Sequence, residues 1–200
     1  MRILPMGLAA VIVEDLPAPP AAWALGLRAL DVPGVVDVVP AATTVLIECA
    51  DPVALDAAVA RLDEVVPLST VADAATVTID VVYDGADLAE VATASGLTID
   101  EVVELHAAGE YRVAFCGFAP GFGYLEGLPA ALHLPRRASP RARVPSGAVA
   151  IAAEYTAVYP RPSPGGWHLI GTTDRPMFDV DRDPPAVLQP GVVVRFRRAT

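Results

Sequence analysis

The chain has 200 residues, of which 54% are hydrophobic and 19% are charged, so it has enough apolar material to bury one or two cores. It carries 24 acidic and 14 basic side chains, and the net charge of −10 repels the phosphate backbone of nucleic acids. All 14 basic residues are arginines, which excludes a lysine Schiff base, a lysine nucleophile and a P-loop.

Membrane and metal partners are also disfavoured by the sequence. No apolar run approaches the ~20 residues needed to cross a bilayer, and we expect a cytoplasmic protein without a membrane partner. Cys49 and Cys116 lie in apolar stretches and are expected to be buried thiols. The three histidines and two cysteines lack metal-ligand spacing, so neither a metal site nor a resident cofactor is expected.

Charge divides the chain in two, because the first hundred residues carry 15 acidic and 3 basic side chains and the second hundred carry 9 and 11. Periodicity in the first unit predicts a strand at 8–13, a helix at 20–30, strands at 35–39 and 44–49, a helix at 52–65 and a candidate closing strand at 66–71. A β-α-β-β-α-β order in about 70 residues indicates a ferredoxin-like domain, which we place at residues 1–74.

A second domain is predicted over residues 75–200, where the pattern changes. Alternation indicates a strand at 76–81, and Thr98 with Glu101 has the spacing of a helix-capping box. Helices are predicted at 87–95 and 99–108, and short β-rich runs at 111–116, 148–152, 156–159, 167–171 and 192–196. This spacing predicts a closed antiparallel barrel or sandwich, so the whole chain is assigned to the α+β class.

The loop between Phe118 and Gly147 is the most informative region, because long connections in compact domains are usually functional. Its first segment, residues 117–125, holds three glycines and three aromatic residues, which lets backbone amides approach a ligand while rings exclude water. A tight turn with a packed aromatic cluster is the alternative. The candidate binding residues there are Phe118, Pro120, Gly121, Phe122 and Tyr124.

Four arginines form the second segment of this loop: Arg136, Arg137, Arg141 and Arg143. Neighbouring prolines hold the backbone extended, and guanidinium groups presented in this way can bind carboxylates or phosphates through two parallel hydrogen bonds. The alternative is that one or two of them pair with the acidic N-terminal unit or with a partner protein.

A third segment, residues 159–168, combines three prolines with Gly165, Gly166 and Trp167. Ser163 is a candidate for hydrogen bonding there, but without a G-x-S-x-G motif a serine nucleophile is not favoured. His106 lies at the C-terminal end of a predicted helix, where it either caps the helix, forms part of the interior or transfers protons.

Together these segments strongly resemble the KipI/PxpB family, also labelled allophanate hydrolase subunit 1. The resemblance is carried by GFAPGFGYL at 117–125, PR at 135–136 and 140–141, VPSG at 144–147, YP at 159–160, SPGGW at 163–167 and LIG at 169–171. His106 and the run EYRV at 110–113 also match, and the order of the N-terminal elements extends the resemblance over essentially the whole chain.

The resemblance implies a small α/β domain followed by a cyclophilin-like β-barrel, which pairs with a homologous barrel of the PxpC or allophanate hydrolase subunit 2 type. With a third chain of the PxpA type such an assembly is a 5-oxoprolinase, which uses ATP, normally supplied with magnesium, to open the small amide 5-oxo-L-proline to L-glutamate. Other members are labelled allophanate hydrolases, related barrels act as the carboxyltransferase part of urea carboxylase, and one member inhibits a histidine kinase. The alternatives for this chain are therefore allophanate hydrolase-type or urea-derived amide chemistry and inhibition of a kinase.

The resemblance also implies functions for individual residues. His106, Arg136 and Arg141 are the catalytic candidates, with the two arginines holding a phosphate or the substrate carboxylate. Backbone amides around residues 121 and 165–166 would complete an anion pocket.

The chain departs from the family pattern at several positions. Tyr155 stands where the family has glutamine, so a phenol replaces an amide that both donates and accepts hydrogen bonds. Glu126 replaces a glycine, and Thr172 and Asp174 replace an arginine and a proline. The change at Tyr155 predicts a different substrate preference or a lower activity, and the changes at Thr172 and Asp174 remove one positive charge from that strand end. Tyr155, in the predicted binding set, is the first residue to test.

Overall fold

The computed structural model describes residues 1–68 and 75–199. Clustering of backbone contacts divides the chain into two compact units, residues 1–73 and 74–200. The boundary predicted after residue 74 falls at the edge of the segment outside the described residues.

The first unit is a four-stranded antiparallel sheet covered by two helices. Its elements are β1 (Arg2–Pro5), β2 (Ala10–Glu14), α1 (Pro20–Ala29), β3 (Val35–Pro40), β4 (Val45–Cys49) and α2 (Pro52–Val59), followed by a 3-10 turn at Leu62–Glu64. The strand order is β1-β2-β4-β3. Each helix begins at a proline, whose fixed φ suits the first turn. The Asp51 side chain caps α2 by accepting a hydrogen bond from the Ala54 amide at 2.8 Å.

The fourth strand of this sheet comes from the start of the chain rather than from residues after α2. Gly7, with φ of +82°, lets the chain reverse between β1 and β2, and β1 then pairs with β2 along its whole length. Residues 66–68 of the candidate closing strand form no strand, and 69–71 lie outside the described residues. The ferredoxin-like strand order is therefore not confirmed, and β1 was missed.

The core of the first unit lies between the sheet and the helices. Trp23 and Leu27, one turn apart on α1, are buried with Val13 and Ile47 of the sheet. Cys49 is buried at the end of β4 as a free thiol, as its apolar neighbours predicted.

The second unit is built on a seven-stranded sheet with the order β12-β9-β10-β7-β6-β13-β5. Its elements are β5 (Thr76–Val81), α3 (Leu88–Ser95), α4 (Ile99–Ala108), β6 (Glu110–Cys116), β7 (Gly123–Glu126), β8 (Arg141–Val144), β9 (Ala148–Ala152), β10 (Tyr155–Val158), β11 (Ser163–Gly165), β12 (His168–Thr172) and β13 (Val193–Arg198), with a 3-10 turn at Ala130–Leu132. A bridge between Val82 and Thr172 joins the two edge strands, so the sheet is a nearly closed barrel, as predicted.

One strand pair of this barrel is parallel, so the prediction of a fully antiparallel barrel is wrong in this respect. β13 runs parallel to β5, from Val193 opposite Thr76 to Arg198 opposite Val81. The physical reason is that β5 opens the unit and β13 ends it. The rest of the barrel forms the long crossover that a parallel pair requires.

Two further features of this unit position the candidate site. The predicted capping box begins α4: Thr98 and Glu101 exchange hydrogen bonds between their side chains and amides. Strand β9 is buried on both faces: Val149 and Ile151 face the main core, and the alternate alanines belong to a separate cluster of aromatic residues. These small alanine side chains leave room for large rings on that face.

Among the described residues no helix is long and apolar enough to span a membrane.

Candidate functional site

A small pocket in the second unit is lined by residues from all three segments that the sequence singled out. The lining consists of Phe118, Phe122, Tyr124, Arg136, Tyr159, Pro164, Gly165, Gly166 and Trp167. Its volume is about 100 Å³, below the range of about 300 to 1,000 Å³ that is usual for drug-sized ligands. The pocket therefore suits a small ring or a ligand fragment and is too small for a whole nucleotide.

Aromatic rings form the walls of this pocket. Phe122 is buried at its base and meets the rings of Tyr124, Tyr159 and Trp167 edge to face, with centroids 5.1, 5.2 and 5.7 Å apart. Gly165 permits this packing, since a Cβ there would lie 2.3 Å from the Tyr159 hydroxyl. The predicted aromatic cluster and the predicted pocket are thus the same feature.

Phe118 forms the rim and has an unusual backbone. Its φ is +66°, and the Ala119 amide donates to the Gly117 carbonyl at 2.7 Å, so Phe118 is the central residue of a γ-turn. Positive φ is unfavourable for a residue with a side chain and is most often retained at functional sites. The ring stays 59% exposed while its edge meets Phe122 at 5.2 Å. A sequence pattern cannot reveal this strain.

Arg136 supplies the positive charge of the pocket. Within residues 1–68 and 75–199 its guanidinium has no hydrogen-bond or ion-pair partner, so it is available to an anionic ligand. Burial raises the pKa of both Tyr124 and Tyr159, and the nearby Arg136 charge only partly opposes this. Both phenols therefore remain protonated near neutral pH and can donate hydrogen bonds.

Two neighbouring arginines are engaged elsewhere. Arg137 donates to Asp87 at 2.8 Å and to Glu90 at 2.5 Å, and Arg141 donates to both Asp87 oxygens at 2.8 and 2.6 Å. Arg141, predicted to be catalytic, thus lies outside the pocket lining with its terminal nitrogens committed to a carboxylate. The sequence alternative was pairing with the acidic N-terminal unit or with a partner protein, whereas the carboxylate that Arg141 binds belongs to the second unit. The catalytic function of Arg141 stays a prediction. Arg143 is exposed and outside the lining.

Asp87 is a functional candidate that sequence reasoning missed. Its side chain is 3% exposed and also accepts a hydrogen bond from the Leu169 amide at 2.8 Å. Burial opposes ionisation, but the hydrogen bonds from Arg141 and Leu169 and the two arginine charges outweigh it, so the pKa of Asp87 is lowered. Its arginine partners lie at least 50 residues away in sequence, and no local pattern links them.

His106 is buried in the interior of the second unit. Its side chain is 0% exposed, its Nδ1 is 2.8 Å from the Tyr83 hydroxyl, and its Nε2 is 2.9 Å from the Thr156 hydroxyl. Thr156 donates to the Ala150 carbonyl, so it accepts from Nε2–H and leaves Nδ1 to accept from Tyr83. Burial lowers the pKa of His106 to about 3. This geometry is that of the interior histidine considered as an alternative, and the catalytic function of His106 stays a prediction.

The remaining predicted binding residues lie outside the lining. Gly121, with φ of +83°, packs against Phe178, and Pro120 is exposed. The Ser163 hydroxyl is buried without a hydrogen-bond partner in the described part of the chain. Tyr155 is not part of the lining, but its ring meets the ring of Tyr124, which is, edge to face with centroids 5.8 Å apart.

The second thiol, Cys116, is less buried than its sequence context predicted. It is a free thiol at the end of β6 and is only partly buried, because this strand ends beside the pocket loop. Its Sγ lies 3.6 Å from the Leu188 carbonyl oxygen. Burial still raises the pKa of this thiol to about 11, so it stays protonated and unreactive near neutral pH.

A larger cavity of about 510 Å³ lies where the two edge strands of the barrel meet. Asp80, Asp84 and Asp174 line it together with Arg175. Because its carboxylates would repel a phosphate or a carboxylate, it is a poorer candidate for an anionic ligand. No group of three or more His, Cys, Asp or Glu side chains able to hold a metal ion occurs among the described residues.

Comparison with known families gives a match over nearly the whole chain. The family described as carboxyltransferase domain, subdomain C and D, matches residues 1–188. The 5-oxoprolinase B subunit of Escherichia coli O157:H7 is 46% identical over 181 residues, covering 87% of this chain and 83% of the relative. The 5-oxoprolinase B subunit of Bacillus subtilis is 46% identical over 57% of this chain and 48% of its own length.

Solved structures show the same fold. The crystal structure of TTHA0988 aligns with a TM-score of 0.83 and 37% identity, and the alignment covers 96% of this chain but only 40% of that one. Urea amidolyase of K. lactis aligns with a TM-score of 0.73 at 18% identity, over 96% of this chain and 14% of that protein. At that identity the likeness is one of fold alone.

Proposed function

This chain belongs to the carboxyltransferase domain family, subdomains C and D, within its KipI/PxpB members, and we propose that it is the B subunit of an ATP-dependent 5-oxoprolinase. The observation that carries the proposal is the aromatic pocket with Arg136 on its lining. Two relatives that are named as 5-oxoprolinase B subunits support the same function.

The substrate would bind as a carboxylate on Arg136 with its ring among the aromatic side chains. 5-Oxo-L-proline is a five-membered lactam that carries one carboxylate, and the pocket has the size for a small ring. A guanidinium binds such a carboxylate through two hydrogen bonds. The Tyr124 and Tyr159 hydroxyls, kept protonated by burial, are available as donors to the lactam carbonyl.

The reaction requires activation because an unstrained lactam resists attack by water. ATP transfers its terminal phosphate to the carbonyl oxygen and ADP leaves, which makes the carbonyl carbon electrophilic. Water then adds to that carbon, the ring C–N bond breaks, and hydrolysis of the resulting acyl phosphate yields L-glutamate and phosphate. Donors aimed at the oxyanion would lower the barrier to water addition.

Only part of this chemistry would belong to the present chain. The pocket is too small for a nucleotide, so ATP and any magnesium bound to it would be held by partner subunits of the PxpC and PxpA types. A homologous barrel would close the pocket and exclude water from the activated intermediate. A requirement for ATP also favours the cytoplasm as the location.

The first experiment is co-expression with partner subunits of both types, followed by measurement of ATP-dependent glutamate release from 5-oxo-L-proline. We expect release only when all three chains are present. Arg136→Gln should raise KM about 10- to 100-fold, the loss expected for a charge-assisted pair of hydrogen bonds. Arg143→Gln, which removes an equal charge outside the pocket, is the matched control and should leave KM unchanged.

A stable complex that binds ATP but releases no glutamate would overturn the 5-oxoprolinase proposal. The same complex should then be supplied with urea-derived amides such as allophanate. Turnover of those substrates would assign the chain to that chemistry, whereas inhibition of a histidine kinase by the chain alone would indicate a regulator.

A further inference from the structure

The buried carboxylate of Asp87 is used in an unusual way. Asp87 occupies the N-cap position of α3, where an aspartate side chain normally accepts a hydrogen bond from its own helix. Here it makes no such bond, and both of its oxygens face residues far along the chain. Because this buried carboxylate does not cap its own helix, its contacts with the distant arginines must be explained in another way.

Those contacts join residues 135–141, here called the arginine loop, to strand β12; the loop ends at Arg141, the first residue of β8. Asp87 accepts from Arg137 and twice from Arg141 on the loop, and from the Leu169 amide on the strand. A backbone hydrogen bond also holds this loop, because the Arg137 amide donates to the Gly166 carbonyl at 2.8 Å. The backbone is therefore held immediately after Arg136, next to the glycines of the pocket lining.

Charge explains why a carboxylate is needed at this position. The like charges of Arg136, Arg137 and Arg141, which lie within six residues, would repel one another. Asp87 forms ion pairs with Arg137 and Arg141, and Glu90 forms a second ion pair with Arg137. Only Arg136 is then left on the pocket lining, with its guanidinium available to a ligand.

We propose that Asp87 is the positioning residue for Arg136: it fixes the arginine loop and neutralises its neighbours, so that one guanidinium is presented to the substrate carboxylate. This inference rests on the proposed function for its substrate. It does not require Asp87 to touch the substrate, because its effect is transmitted through the loop. Preorganised side chains of this kind lose little entropy when the ligand binds.

The test is Asp87→Asn in the assembled complex, a change that keeps the size of the side chain and removes its charge. A loosened Arg136 should raise KM for 5-oxo-L-proline about tenfold while kcat changes less than about twofold, because uniform binding is lost. A merely structural role would lower the amount of active complex and leave KM unchanged. That second outcome would overturn the proposal.

A double-mutant comparison tests whether Asp87→Asn raises KM through Arg136. If Asp87 acts through Arg136, Asp87→Asn should add no further increase in KM to the Arg136→Gln variant. Equal effects of Asp87→Asn in both backgrounds would mean that Asp87 acts independently of Arg136 and would contradict the proposal.

A second variant covers the case in which Asp87→Asn does not fold. Arg141→Gln removes two of the hydrogen bonds to Asp87 from outside the pocket, and it should raise KM in the same direction by a smaller factor. Arg143→Gln, on the same strand, is the control for loss of charge. Identical KM values for the two variants would count against the proposal.

A final measurement separates this inference from the proposed function. If the wild-type complex does not act on 5-oxo-L-proline, the proposed function fails, and hydrogen exchange on the full chain still tests the loop. Asp87→Asn should speed exchange of the amides of residues 136–139 and 141 and leave β9 unchanged. Unchanged exchange in the loop would show that Asp87 does not hold it.

Discussion

Phe118 and Arg136 are exposed at the pocket, yet the backbone at or beside each of them is held in a defined conformation. Phe118 is largely exposed and could be taken for a loop residue of no consequence, but its strained backbone directs the ring to the pocket rim. Arg136 is also exposed, but the next residue, Arg137, is held at its amide by the Gly166 carbonyl and at its side chain by buried Asp87. At this scale, the two features that set these residues apart are the buried charge of Asp87 and the strained backbone of Phe118.

The strain at Phe118 leads to a prediction about stability. Phe118→Gly relieves a backbone cost of about 1–3 kcal/mol while losing exposed ring contacts, so the free energy of unfolding should stay within about 1 kcal/mol of wild type. Ligand affinity should fall because the rim is lost. Urea denaturation measures the first effect and titration with 5-oxo-L-proline the second.

The control for this prediction is Phe122→Ala at the base of the pocket. That ring is buried, and its loss should cost about 3–5 kcal/mol. If Phe118→Gly proves as destabilising as Phe122→Ala, the rim ring supports the fold and the strain argument fails.

The lowered pKa of buried His106 leads to a prediction of how the free energy of unfolding depends on pH. Its pKa is about 3 in the folded chain and near 6.5 when unfolded, so the unfolded chain binds the proton first as pH falls. The contribution of neutral His106 to the free energy of unfolding is therefore fully present above about pH 6.5. It is lost progressively as the pH falls from there towards 3. Between pH 7 and pH 5 the free energy of unfolding should drop by about 2 kcal/mol from this residue.

Urea unfolding at pH 7 and pH 5 tests the histidine prediction. Asp87 contributes little in this window, because its lowered pKa affects stability only at more acidic pH. His106→Gln should be less stable at pH 7 and should lose most of the pH dependence. An unchanged slope in that variant would place the titrating group elsewhere.

At the scale of elements, β9 and β11 determine the shape of the pocket. Strand β9 is buried on both faces, and its alanines leave space for the aromatic cluster. Strand β11 ends at Gly165, where the backbone passes directly beside the Tyr159 hydroxyl. The pocket therefore depends on the absence of side-chain atoms at these positions as much as on the rings themselves.

The close approach at Gly165 gives a testable contrast between adjacent glycines. Gly165→Ala would place a Cβ 2.3 Å from the Tyr159 hydroxyl, whereas at Gly166 the nearest atom would be 3.5 Å away. Gly165→Ala should displace Tyr159, lower stability by about 1–3 kcal/mol and abolish ligand binding. Gly166→Ala should be well tolerated, and equal losses in both variants would contradict this account.

On the scale of the whole molecule, the two units have separate cores. The first unit buries Trp23 and Leu27 with its own sheet, and the barrel buries a main core and the aromatic cluster beneath the pocket. Each unit therefore has the apolar burial from which folding draws most of its free energy.

Residues 75–200 expressed alone are accordingly expected to fold. The fragment retains the complete barrel sheet and every residue of the pocket lining. Thermal unfolding followed by circular dichroism should show a cooperative transition, and the fragment should retain the ligand affinity of the full chain. A fragment without a transition would mean that the predicted division at residue 74 does not separate independent domains.

Local features could be predicted from the sequence because their causes lie within a few residues. The capping box at Thr98 and Glu101 and the alternation in β5 depend on neighbours along the chain. The three segments around the pocket were recognisable for the same reason, since their glycines, prolines and aromatic residues have local conformational and packing preferences. The sequence by itself thus determined the barrel, the loop that carries the site and the family.

Only the tertiary structure decided which of the candidate residues line the pocket. Burial of His106, pairing of Arg141 with Asp87, entry of β1 at the sheet edge and the parallel pairing of β13 with β5 all depend on contacts between distant parts of the chain. Four similar arginines within eight residues cannot be distinguished locally. Their environments differ because one carboxylate, brought from about 50 residues away, neutralises two of them and leaves Arg136 at the pocket.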